Sequence, residues 1–139
     1  MAGIHFSFDN FEQLLKLNIG ISDRLDENRA ESFTILYCDF SDIDDEIIRT
    51  SLENTLRTSD SIVNDGDDYF FVLPYTDKYG AEIVKKMFDD FFDKFLPAFL
   101  TSYPADGETP KLLLENIQDS VSVLLKKDIH SLDRFTRDY

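Results

Sequence analysis

Residues 65–74, DGDDYFFVLP, set two adjacent carboxylates, Asp67 and Asp68, behind a glycine and ahead of an apolar run. Carboxylate oxygens suit magnesium, and some phosphoryl-transfer enzymes hold their metal on such a turn. The competing reading is a solvated turn, because Asp-Gly followed by bulky β-formers is also a plain hairpin signal. Composition closes other routes to catalysis. Two histidines, His5 and His130, and one cysteine, Cys38, are too few for a transition-metal cluster or a Cys/His nucleophile. Both histidines read as surface residues.

The elements that must position these carboxylates follow from periodicity. A helix is predicted over 8–22, with Phe8, Phe11, Leu14, Leu15 and Leu25 inward and Ser7 or Asp9 as cap. After a charged connector, DENRAES, the run FTILYCDF is a buried strand near 33–39. Ser41 and Asp42 are cap candidates for a helix over 43–57 that turns Ile48, Leu52 and Leu56 inward. Strands near 61–64 and 69–73 flank the Asp-Gly turn. A helix over 77–95 packs Val84, Phe88, Phe91 and Phe95 into the core, and a strand covers 98–103. Thr109 caps a last helix over 110–126, with Pro110 at its first position and Leu113, Ile117, Val121 and Leu124 buried. The tail, 128–139, has no clear pattern, and the acidic pairs at 44–45 and 89–90 read as solvated helix faces. The order predicts an α+β fold, a split βαββαβ core with helices on one face of a mostly antiparallel sheet.

The chain of 139 residues reads as one domain, 1–139, and its thirteen phenylalanines argue against disorder. A net charge of −14 argues against nucleic acid and anionic membranes as partners. No apolar run reaches the roughly 18 residues that would cross a bilayer. The N-terminus lacks a basic head and a cleavable apolar stretch, and the lone Cys38 permits no internal disulfide, so a cytoplasmic setting is expected. Met1 and the full set of elements suggest a small stand-alone protein.

Taken in order, residues 8–127 resemble a GGDEF domain, the fold of diguanylate cyclases that make cyclic di-GMP from two GTP molecules. DNFEQLL is similar to the family's opening helix and FTILYCDF to its first strand. LRTSDSIVNDGDDYFFVLPYTDKYGAEI is similar to the stretch from the RxxD inhibitory site through the signature hairpin, and SYPADGETPKLLLENIQDSV to the later strand, loop and helix. In one pairing GDDYF stands for GGDEF: Gly66 matches the first glycine, Asp67 replaces the second, Asp68 keeps a carboxylate, Tyr69 replaces the glutamate and Phe70 keeps the aromatic. In the other, DGDDY (65–69) puts Asp68 at the glutamate. Either way a functional position is lost.

The resemblance implies a metal aspartate on the first strand, which is Asp39 unless Tyr37 takes its place. With Asp68 it would make a vestigial magnesium site. Only SDI separates CDF from the next helix, so the guanine-gripping segment is missing. Lys126 matches the lysine that reaches phosphate, without the family's following Gly-Arg-Asn. Arg57 and Asp60 match the RxxD pair that binds cyclic di-GMP, where guanidinium forks onto guanine or phosphate and carboxylate accepts from guanine N–H groups. Alternatively, Arg57 closes a helix and Asp60 opens a turn. The expectation is a non-catalytic regulatory or protein-interaction module in bacterial cyclic di-GMP-related signalling, with no catalytic residue and no required cofactor. Magnesium enters only if the hairpin site survives. The partner is a protein of unspecified identity, with room for a homodimer. The alternative is a cyclic di-GMP receptor at Arg57 and Asp60, and a residual cyclase or nucleotide hydrolase comes third.

Overall fold

A computed structural model describes residues 3–25 and 29–137. Residues 26–28 of the expected connector, the first two residues of the chain and the last two of the tail lie outside the described residues.

Among the described residues, five strands form one mostly antiparallel sheet in an α+β fold. They are β1 (Ile4–His5), β2 (Glu31–Asp39), β3 (Ser61–Asp65), β4 (Asp68–Pro74) and β5 (Ala98–Pro104), in the order β1-β3-β4-β2-β5. β2 pairs antiparallel with β4 and β5, β3 pairs antiparallel with β4, and β1 lies parallel to β3. The helices are α1 (Phe11–Arg24), α2 (Asp45–Thr55), α3 (Lys78–Phe92), α4 (Pro110–Leu125) and the short α5 (Asp133–Thr136). Without β1, the spatial order β3-β4-β2-β5 is that of a split βαββαβ unit. Among the described residues, no helix is long and apolar enough to cross a membrane.

Helices cover both faces of the sheet, which corrects the one-face expectation. Phe33, Ile35 and Tyr37 of β2 join Phe70 and Val72 of β4 in a core shared with Phe11 and Leu15 of α1 and Leu113, Ile117 and Val121 of α4. The alternate residues Leu36 and Cys38 join Phe71 and Leu73 in a second core with Ile48 and Leu52 of α2 and Ala81 and Phe88 of α3. The reason was visible in FTILYC: a strand with one wet face alternates apolar and polar residues, and this one does not. Each fully buried side chain of this size contributes about 1.5–3 kcal/mol.

Several inward positions differ from expectation. α3 ends at Asp93 in the left-handed region (φ 52°), where the Asp89 carboxylate accepts from Leu96 N at 2.9 Å. Phe95 is thus off the helix and 84% exposed, and Phe92, not Phe91, packs beside Phe88. Leu25 follows the end of α1 and Leu124 faces away from the α4 core, so both are exposed. The cap of α2 is Asp44, accepting from Glu46 N, because Asp42 takes a left-handed φ of 67° and Ser41 turns back to Asp39. Asp44, Asp45 and Asp90 are exposed as expected, whereas Asp89 is half-buried and held by Lys85 and Leu96 N. Thr109 caps α4 ahead of Pro110 as expected. β1 was not anticipated; at two residues it carries no periodicity.

Candidate functional site

The β2–β4 register sets Asp39 directly opposite Asp68, and the β3–β4 hairpin closes with Asp65 opposite Asp68. Gly66 (φ 58°) takes the first central position of that turn, where a two-residue hairpin wants a residue free to adopt positive φ. The acidic residues then part. Asp67 is exposed at the turn, its carbonyl accepting from Phe40 N at 2.9 Å, while Asp68 points onto the α1/α4 side with Tyr37. Tyr69 lies on the opposite face against Phe40, ring centroids 4.8 Å apart, and Phe70 is buried beside Phe11 and Tyr37.

A lysine stands between the paired carboxylates. Lys127 Nζ lies 2.6 Å from Asp68 Oδ1 and 3.2 Å from Asp39 Oδ2. The chain delivers it by a turn at Lys126, the exposed C-cap of α4 in the left-handed region (φ 57°). The following segment is anchored: Ile129 and Leu132 are buried in the α1/α4 core, and Gln118 Nε2 donates to Ile129 O at 2.9 Å. Lys126, which the sequence pattern selected, thus points to solvent, and its neighbour makes the contact. The signal that would have found Lys127 is the tail itself, since apolar Ile129 and Leu132 hold the chain against the α1/α4 core near the paired ends of β2 and β4.

Other donors complete the cluster. The Tyr37 hydroxyl donates to Asp68 Oδ1 at 2.6 Å, and Ser41 N and Oγ both donate to Asp39 Oδ1. Burial, reinforced by the Asp68 hydrogen bond, raises the Tyr37 phenol far above its usual pKa, so it stays a neutral donor. For Asp39, burial favours the neutral acid, but Ser41 and Lys127 outweigh it and hold the carboxyl below its ordinary value. For Lys127, burial opposes the charge, and the hydrogen bonds and attraction of Asp68 and Asp39 hold it above the ordinary lysine value. The cluster is therefore an ammonium with two carboxylates.

Magnesium does not fit these residues as they stand. The position between Asp39 and Asp68 already holds a cation, and both oxygens of Asp39 have donors. Among the described residues, no group of three or more His, Cys, Asp or Glu comes together as a metal set. β2 ends at Asp39 and α2 starts at Asp45, so the link between them is short.

Arg57 and Asp60 are brought together, and they bind each other. Asp60 is 2% exposed; its carboxylate accepts from Arg57 N at 2.8 Å and from Arg57 Nη2 at 2.9 Å. The same Nη2 donates to Pro74 O and Thr76 Oγ1, both at 3.1 Å. β1 lies over this turn: Ile4 N donates to Asp60 O, and a Cβ on Gly3 would meet that oxygen at 2.8 Å. An open groove of about 1090 Å³, lined by Lys85, Phe95, Phe99 and Asn116 among others, includes none of Asp39, Asp68, Arg57 or Asp60. No family model matches the chain, and no curated protein matches it.

Proposed function

We propose that the chain is a degenerate, non-catalytic GGDEF-like domain that serves as a regulatory or protein-interaction module in bacterial cyclic di-GMP-related signalling. The observation that carries the reading is Lys127 between Asp39 and Asp68. In-line phosphoryl transfer needs metal to neutralise phosphate and hold it in line. Here an internal ammonium neutralises the carboxylates instead. Magnesium, which gives up its water reluctantly, would have to displace an ammonium held by two carboxylates. Without metal, a triphosphate meets a chain of net charge −14. The short β2–α2 link supports the same reading, because it lacks the length for a guanine clamp.

The receptor alternative draws on Arg57, whose side chain is 57% exposed and still offers a cationic edge. Against it, the Asp60 carboxylate is enclosed and committed to Arg57, so it is withdrawn from guanine N–H groups. The pair works as a turn clasp. Calorimetric titration with magnesium, GTP and cyclic di-GMP in turn separates the readings. The proposal expects no saturable heat from any of the three up to about 1 mM, a limit corresponding to roughly −4 kcal/mol of binding. Saturable cyclic di-GMP binding lost in Arg57→Ala would favour the receptor. Magnesium-dependent GTP binding would contradict the central reading.

A further inference from the structure

Four large apolar side chains recur at every fourth position along the outer side of α3: Tyr79, Ile83, Met87 and Phe91. They are 75%, 48%, 42% and 41% exposed, although α3 already buries Ala81 and Phe88 against the sheet. A row spaced by four is the ridge that packs into the grooves of another helix. Beside it runs a second row with the same spacing, Glu82, Lys86 and Asp90, all exposed. Lys85 next to it is paired with Asp89, yet none of these three side chains has an ion-pair partner within the described residues.

We propose that this face of α3 is the interface of a homodimer, in which α3 packs antiparallel against α3 of a second copy. Charge order selects that occupant. When two copies of a helix meet antiparallel about a two-fold axis, the same side of each helix lies on the same side of the interface, so the charged row meets itself in reverse. With the axis level with Phe88, Lys86 of each copy faces Asp90 of the other, giving two opposite-charge pairs. In the same register the apolar ridges interleave. Met87 sits between Met87 and Phe91 of the second copy, and Phe91 sits between its Ile83 and Met87. That register satisfies the charged row and the apolar row together. The inference is independent of the state of the Asp39–Asp68 cluster, which lies on the other face of the sheet.

A single helix pair is a small interface, so dimerisation in the micromolar range is expected and not an obligate dimer. The net charge of −14 opposes association at low salt, and about 0.15 M salt screens it beyond roughly 8 Å. Sedimentation equilibrium of the full chain at that salt, from micromolar to about 1 mM, should show the average mass rising from 16.1 kDa toward twice that value. Met87→Glu, at an exposed position, should leave the circular dichroism spectrum unchanged and abolish the rise. Lys86→Glu should weaken association about tenfold, and adding Asp90→Lys should restore it by re-forming the pairs in reverse. A chain that stays at 16.1 kDa throughout, or a dimer unaffected by Met87→Glu, overturns the proposal. Failure of the double exchange to restore the dimer overturns the register centred on Phe88.

Discussion

Lys127 places its ammonium 2.6 Å from the carboxylate of Asp68, fifty-nine residues away in the chain. The sheet register sets Asp39 on the other side of the same ammonium. The C-terminal segment thus supplies the cation that these two facing carboxylates require.

Replacing that cation with a neutral side chain of similar length should be costly. Lys127→Met leaves Asp39 and Asp68 opposite one another with no positive charge between them. For a half-buried pair the expected loss is about 1–3 kcal/mol, below the range for a fully buried one. Urea unfolding checks it, through a lower midpoint at unchanged slope.

The pH dependence has two limbs with known signs. The carboxyl of Asp39 is held below its ordinary 3.8, so its contribution is full above that pH and is lost as pH falls through the folded value. The ammonium of Lys127 is held above its ordinary 10.5, so its contribution is full below that pH and is lost as pH rises through the folded value. Stability measured against pH should fall at both ends, and Lys127→Met should flatten both limbs. A variant with the full wild-type alkaline limb would show that Lys127 does not carry it.

The Arg57–Asp60 clasp should matter for folding. Asp60→Ala removes the acceptor of a backbone N–H and a guanidinium from a buried position, at an expected cost of about 1–3 kcal/mol. Arg57→Ala should cost less, because half of that side chain is in water. Denaturant unfolding of the two variants gives the order directly; equal, negligible losses would mean the pair is no clasp.

Much of this architecture was legible in the sequence, and the exceptions have physical causes. The strands at 33–39, 61–64, 69–73 and 98–103 and the four long helices appear within a few residues of the predicted positions, because each has a strong period and recognisable end signals. The second helical layer is less legible, because the lack of alternation in FTILYC signals burial on both faces but not which helix covers each. Helical spacing alone puts Phe91 and Phe95 inward, and no sequence pattern marks the left-handed stop at Asp93. For the site, the sequence couples Asp39 with Asp68, and the register sets them opposite one another. Lys127 was invisible because it acts across 59 residues from a tail with no period, and only tertiary packing of Ile129 and Leu132 brings it there.

In the proposed reading, the Asp39–Asp68 cluster, closed by Lys127, performs no phosphoryl transfer. The most direct test of that reading is to incubate the purified chain with GTP and magnesium or manganese and to quantify cyclic di-GMP and released phosphate. The account predicts neither product above a protein-free control, for the wild type and for Asp68→Ala alike. Turnover by the wild type that disappears in Asp68→Ala would contradict it.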